Sequence, residues 1–295
     1  MKANAYIVTG PTASGKSDFA HKLAKAVNGV VINCDSVQIY RGIENISASP
    51  FAGRELTDSI DGVPYRLFSV LPLSEQISVV DYLNLAQLEY DKAIANGLIP
   101  VFVGGTGMYV NALLNGVSPM PKISPENRKR ARDLVDFDIC SARALLPEDF
   151  LYSDKQRVAR AVEVFYETGR HLTEFQREAR IGAVLGDACK ILVRPSIDVL
   201  RTRIAERVPK MLAGGAYDEA QLILNSGWDE NRAIGAAQLC KLVRGEVSQS
   251  ECVESWVTKT NQYAKRQATW FRTQFNPDIS IMHVPTDLDI VQILK

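Results

Sequence analysis

The sequence predicts an α/β protein: a parallel sheet interrupted by a helical insertion. Three observations predict it. Short apolar runs of strand length occur at residues 5–9, 30–33, 99–103 and 188–193, with helical periodicity between them. That alternation gives a parallel sheet. The first run ends in Gly10-Pro11-Thr12-Ala13-Ser14-Gly15-Lys16-Ser17, a glycine turn with phosphate-loop spacing that opens a helix. Three prolines within residues 118–125 then mark a boundary, followed by helical pattern up to the strand at 188. The expected architecture is a P-loop NTPase-like core made of 1–121 and 188–295, with 122–187 as a helical insertion domain.

The bulk numbers narrow the class. A chain of 295 residues with 46% hydrophobic and 23% charged positions can bury a sizeable core. No apolar run approaches the roughly 20 residues that span a bilayer, so no membrane association is expected. The first strand follows Met1 almost at once, which leaves no room for a signal peptide. Five scattered cysteines without Cys-x-x-Cys spacing, and three isolated histidines, argue against a zinc site and for a reducing cytoplasm. Net charge is zero, yet residues 1–121 carry 8 Lys+Arg against 10 Asp+Glu while residues 190–272 carry 13 against 9. Such unevenness also arises by chance, and charge alone does not lead to RNA.

In chain order, residues 5–9 form a buried strand and Phe19, Leu23 and Ala26-Val27 recur at helical spacing after the loop. The loop's N–H groups and Lys16 suit linked phosphates, and the Ser17 hydroxyl suits a magnesium ion. Alone, the loop suggests a nucleoside triphosphate such as ATP. Residues 30–33 form a second strand that ends in Asp35-Ser36-Val37-Gln38-Ile39-Tyr40-Arg41-Gly42. Ligands of parallel sheets sit at strand carboxyl ends. Asp35 there fits a magnesium ligand, a proton acceptor or a helix N-cap equally well. Residues 44–64 read as a polar surface loop and 65–70 as a strand. A helix over 78–96 follows, then the strand 99–103.

Gly104-Gly105-Thr106-Gly107 closes that strand and opens a helix over 108–114. Its glycines suggest close backbone approach to a ligand. Within the insertion, helices are expected at 126–135, 141–146 and 154–169. Arg157 and Arg160 share one face of the last, either as a solvated basic face or as a phosphate contact. Beyond the strand at 188–193, helical segments cover 197–225, 228–239 and 250–272, then a short strand at 279–284 and a final short helix. The helix ending in Lys265-Arg266-Gln267-Ala268-Thr269-Trp270-Phe271-Arg272 interleaves basic, amide and aromatic residues. That mixture suits nucleic acid or an amphipathic core helix.

Taken together, the loop at 10–17, Asp35 to Gly42, Gly104 to Tyr109, Gln156-Arg157-x-x-Arg160-Ala161 and Lys265 to Arg272 resemble the bacterial tRNA dimethylallyltransferases (tRNA isopentenyltransferases). The resemblance runs from residue 5 to about 275. It implies transfer of a dimethylallyl group from dimethylallyl diphosphate to N6 of the adenine just 3′ of the anticodon. It also implies a P-loop core and a helical insertion, both lying against the tRNA anticodon stem-loop. On the matching positions, the loop, Lys16, a magnesium on Ser17 and Arg232 would hold the diphosphate. Thr106 would bond near the breaking C–O bond, and Asp35 would take the amino proton. The tRNA contacts would come from Asp35, Ser36, Val37, Gln38, Thr106, Arg128, Gln156, Arg157, Val158, Ala159, Arg160, Lys265 and Arg266. The adenine would have to flip out of its stack. A cytoplasmic monomer is the expectation.

Two departures stand out. Gly235-Ala236-Ala237 lacks the tyrosine that usually follows the glycine, and the stretch from Ser124 to Asp154 is shorter than usual. Rival readings are an adenylate isopentenyltransferase, a P-loop small-molecule kinase and a catalytically dead RNA-binding protein. The insertion and the Lys265–Arg272 segment oppose the first, and no ATP γ-phosphate acceptor site supports the second. Lys16, Asp35, Thr106 and Arg232 together oppose the third.

Overall fold

Strand β1 (Tyr6–Thr9) lies inside a seven-stranded sheet rather than at its edge. The structure, a computed structural model, describes residues 3–295. The remaining strands are β2 (Gly29–Asn33), β3 (Ser59–Ile60), β4 (Val63–Arg66), β5 (Ile99–Gly104), β6 (Cys189–Val193) and β7 (Ile279–Ile281), in the spatial order β3-β4-β2-β5-β1-β6-β7. Every pairing is parallel except the β3–β4 hairpin. Ile7, Val8, Val31, Ile32, Val101, Phe102, Ile191 and Val193 are fully buried, as expected of strands covered on both faces. The register aligns Thr9 with Gly104 and Leu192, and Asn33 with Val103. The carboxyl ends of β2, β5, β1 and β6 therefore form one level rim. The chain leaves β1 for β2 on one side, and β6 lies on the other, so β1 sits at the switch point where such sheets bind ligands.

Helix α1 (Lys16–Val27) buries Phe19, Ala20, Leu23 and Ala24 on one face. Helix α2 (Val79–Ala95) starts with a Ser78–Asp81 capping box, and α3 (Gly107–Asn115) follows β5. Strand β4 stops at Arg66, short of the expected residue 70, because Leu67 and Ser69 take left-handed backbone (φ 63° and 51°). Residues 44–64 are the surface loop expected only in part: residues 53–59 are exposed, while 44–51 pack inward. Ile46 and Phe51 are buried, and the carboxylate of Glu219 holds the segment by accepting from the Asn45 and Ile46 N–H groups at 2.7 and 2.8 Å.

The second half is also more broken than its periodicity suggests. Helix α8 (Ile197–Met211) passes through a π-helical turn at Leu212–Ala216, where Gly215 has φ 114°, before α9 (Tyr217–Ser226). A 3₁₀ turn (Glu230–Arg232) precedes α10 (Ala236–Val243). Gly235 separates them with φ 97°, and a Cβ there would stand 2.1 Å from Trp256 Nε1. Helix α11 (Gln249–Gln274) is continuous, and α12 (Asp287–Leu294) ends the chain's helices.

Contacts group the chain into two units, one reaching Leu114 and resuming at Val184, the other spanning Asn115–Ala183. The second contains α4 (Pro125–Phe137), α5 (Ile139–Ala144), α6 (Lys155–Thr168) and α7 (Leu172–Arg177) around Ala131, Val135, Ala142, Phe150, Val158 and Val162. Val117 and Ile181 exchange both backbone hydrogen bonds (2.9 and 3.0 Å), closing the base of this unit ahead of the proline-rich run. No helix among the described residues is long and apolar enough to cross a membrane.

Candidate active site

The loop between β1 and α1 presents an open helix start. Gly15 caps α1 in a left-handed conformation with no side-chain cap, which leaves the first-turn N–H groups available to an anion. Lys16 Nζ donates to the Pro11 carbonyl at 3.2 Å. Burial pushes its amine down to about 8, against the pull of Asp35. The Ser14 hydroxyl is buried without a partner.

The loop forms one wall of a cavity of about 440 Å³ that lies wholly within the first unit. Two arginines on α8, one turn apart, complete the cradle. Arg203 Nε donates to the Ala13 carbonyl at 2.8 Å, and Arg207 Nη2 donates to Thr12 Oγ1 at 2.7 Å. Burial pushes the Arg207 guanidinium down to about 10, and its Nε is buried without a partner. Arg232 lines the cavity from the 3₁₀ turn, 5.7 Å from the Tyr40 ring and 5.9 Å from the Trp228 ring. Lys16, Arg203, Arg207, Arg232 and Arg266 face only Asp18 and Asp35 on this lining, so the cavity is built for an anion. Arg203 and Arg207 escaped the sequence reading. Their i, i+4 spacing on the first helix after a rim strand was the available signal.

Asp35 lines the same cavity. Asn33, at the tip of β2, donates to the Asp35 and Leu67 carbonyls (3.0 and 2.9 Å) and accepts from the Asp35 N–H at 2.8 Å. Tyr82 donates to the Asn33 carbonyl at 3.0 Å. Asp35 Oδ1 accepts from the Val37 N–H at 3.0 Å, and its Oδ2 takes no hydrogen bond within the described residues. Ser36, Val37 and Gln38 line the same cavity, and Gln38 is fixed by donating to the Ser47 and Ala48 carbonyls. Thr106 does not line it. Its hydroxyl accepts from the Ser36 N–H at 3.0 Å and lies 3.3 Å from Ser36 Oγ.

The glycines around Thr106 have a different reason from the expected approach to a ligand. A Cβ on Gly104 would sit 2.3 Å from the Cys34 carbonyl carbon. On Gly105 it would sit 2.5 Å from Gln267 Nε2, and on Gly107 2.6 Å from the Trp270 ring. Protein packing demands them. Helix α11 is an amphipathic core helix with an exposed basic edge. Ala264, Gln267 and Phe271 are buried, while Lys265 and Arg266 are exposed.

In the insertion, Arg128 is exposed on α4, and Gln156 and Arg157 are exposed on α6. Arg157 pairs with Asp154 at 3.0 Å and stacks 4.6 Å over Tyr152. Arg160 pairs with the buried Glu163 at 3.1 Å, which Arg132 also approaches at 3.7 Å. A second cavity, about 450 Å³, opens beside Gln156, Arg160 and Arg132. Val158 corrects the expectation of RNA contact: it is fully buried and faces the insertion's core, turned away from Gln156 by helical periodicity. Ala159 also packs against that core, but it lines the second cavity beside Gln156 and Arg160.

Among the described residues no cluster of three or more His, Cys, Asp or Glu forms a metal cage. Ser17 and Asp35 on one lining nevertheless fit a magnesium ion held mainly by phosphate oxygens, the usual manner of that ion. Because Lys16 titrates near 8, a phosphate ligand meets an ammonium below that pH and a neutral amine above it. Affinity for inorganic diphosphate is therefore expected to fall as pH rises through about 8, measured by titration calorimetry from neutral to alkaline pH. Affinity that holds constant across that window would remove Lys16 from the cradle.

A parallel sheet whose rim joins a phosphate loop, half-buried arginines and one free carboxylate edge defines an α/β enzyme of the P-loop class acting on a phosphorylated ligand. The family model described as IPP transferase matches residues 38–274, and one described as isopentenyl transferase matches residues 3–60. The tRNA dimethylallyltransferase of Rhizobium johnstonii is 37% identical over 288 residues, covering 92% of this chain and 95% of that one. That of Rhodospirillum rubrum is 38% identical over 290 residues, covering 92% and 86%. The solved tRNA isopentenylpyrophosphate transferase of Bacillus halodurans aligns with a TM-score of 0.68 at 28% identity, over 99% of this chain and 94% of its own. A eukaryotic dimethylallyltransferase solved while acting on tRNA shares the fold, with a TM-score of 0.76 at 24% identity, over 97% of this chain and 74% of its own. The chain belongs to the IPP transferase family and is a transferase.

Proposed function

We propose that this chain transfers a dimethylallyl group from dimethylallyl diphosphate to N6 of the adenine 3′-adjacent to the anticodon of tRNA, releasing diphosphate. The observation that carries the reading is one cavity lined both by a cationic phosphate cradle and by Asp35. In the proposed reaction the N6–C1 bond forms, the allylic C1–O bond breaks with its electrons leaving on the diphosphate, and the N6 proton passes to Asp35. The loop N–H groups, Lys16, Arg203, Arg207 and Arg232 face the charge that develops on the leaving group. Magnesium on Ser17, when bound, supplies further positive charge there. The amino nitrogen of adenine is a poor nucleophile because its lone pair is delocalised, so the carboxylate's help is needed. Thr106 acts through Ser36, whose N–H it holds.

In this reading Gln38, Arg128, Gln156, Arg157, Arg160, Lys265 and Arg266 contact the anticodon stem-loop, the exposed cations pairing with phosphates. The protein works in the cytoplasm as a monomer. The test combines purified protein, dimethylallyl diphosphate and magnesium with either an anticodon stem-loop or AMP. Mass spectrometry should find one added prenyl group on the RNA and none on AMP. Prenylated AMP, or ATP hydrolysis without prenyl transfer, would sink the reading.

A further inference from the structure

We propose that Gln267 is a positioning residue that fixes the spacing between the leaving-group cradle and the proton acceptor. The inference rests on the prenyl-transfer reading above. Gln267 is 7% exposed on the inward face of α11, and one side-chain amide serves both loops of the rim. Its Oε1 accepts from the Thr12 N–H at 2.8 Å, and its Nε2 donates to the Gly105 carbonyl at 2.7 Å. Thr12 belongs to the phosphate loop and receives Arg207 on its hydroxyl. Gly105 adjoins Thr106, whose hydroxyl holds the Ser36 N–H beside Asp35. A continuous path of bonds therefore runs from the diphosphate grip through Gln267 to the turn that carries Asp35.

Both loops lie past the ends of their strands, where the sheet's ladder no longer fixes their separation. The path requires a donor and an acceptor on one planar group, which glutamine supplies and neither glutamate nor methionine does. The space is made to measure, since any side chain at Gly105 would collide with Nε2. Displacement matters because the adenine nitrogen and the allylic carbon must approach to roughly 3–3.5 Å, and a shift of about 1 Å costs on the order of 10²-fold in rate.

The experiment uses the full chain with stem-loop RNA and dimethylallyl diphosphate under single-turnover conditions. If the wild-type protein makes no prenylated RNA, the prenyl-transfer reading fails and takes this inference with it. A loss confined to variants tests the inference alone. Gln267→Glu places an ionised oxygen against the Gly105 carbonyl. Its rate at alkaline pH should fall by about 10²-fold, with dissociation constants for donor and RNA nearly unchanged. Burial raises a carboxyl pKa, so this side chain should regain a proton as pH falls and donate to Gly105 again. The ratio of variant to wild-type rate should then climb towards one. Gln267→Met, of similar shape, and Gly105→Ala should show the loss at every pH. Should Gln267→Glu not fold, the other two variants decide by whether the bound-complex rate drops. A flat pH ratio for a folded Gln267→Glu, or losses that lie wholly in donor or RNA binding, would overturn the proposal.

Discussion

Asp35→Asn is expected to lower single-turnover prenyl transfer by about 10²–10⁴-fold, the range for loss of a general acid–base group. Asparagine keeps an oxygen at the position that accepts the Val37 N–H, and the backbone bonds to Asn33 do not involve the changed side chain. The turn after β2 should therefore keep its shape while the proton acceptor disappears. RNA binding, followed by fluorescence anisotropy, should stay near the wild-type value, and so should thermal stability. If RNA binding is abolished, Asp35 is a recognition residue and the proton-acceptor role is wrong. If turnover stays near wild type, the proton leaves by another route.

The second large effect is expected at Lys16. Lys16→Met keeps most of the side-chain volume at the head of α1 and removes the charge from the cradle. Loss of one preorganised donor to a developing oxyanion costs on the order of 10²–10³-fold in rate. The amine also stands in a strongly desolvated place, which is why it titrates near 8. The loss should appear in the rate of the bound complex as well as in donor affinity, because charge on the diphosphate grows as the C–O bond breaks. Donor affinity alone would change if Lys16 only tethered the ground state. The variant should be no less stable than wild type, since methionine ends the cost of burying an ammonium.

Much of this rim is legible in the sequence, for a physical reason. The phosphate loop, Asp35 and the Gly104–Gly107 cluster each follow an apolar strand directly, so chain proximity and the strand-end rule suffice to place them. Gln156, Arg157 and Arg160 follow from helical spacing, and the same spacing shows why Val158 points inward. What could not be read is whatever depends on distant segments meeting. Arg203 and Arg207 look like ordinary helix arginines until α8 packs beside residues 12–13. The glycines after β5 suggest a ligand, but the space they leave is filled by Cys34, Gln267 and Trp270. The segment at 44–51 looks polar because its buried Ile46 and Phe51 are sparse, and the Glu219 carboxylate that clasps it lies far along the chain.

The central position of β1 has a consequence for the order in which the molecule is completed. β1 precedes every other described strand in the chain, yet its two neighbours are β5 and β6, and β6 begins at Cys189. Its loop is then bonded to Gln267, 255 positions from Thr12. Contacts of such long range form only after the entropy of closing the intervening chain has been met. The anion cradle is therefore a late product of folding. Pulse-labelled amide exchange during refolding should find the Thr12 N–H protected after those of α6, and protection at the earliest times would contradict this order. A growing chain carries the phosphate-loop residues early but cannot complete the cradle until α11 arrives.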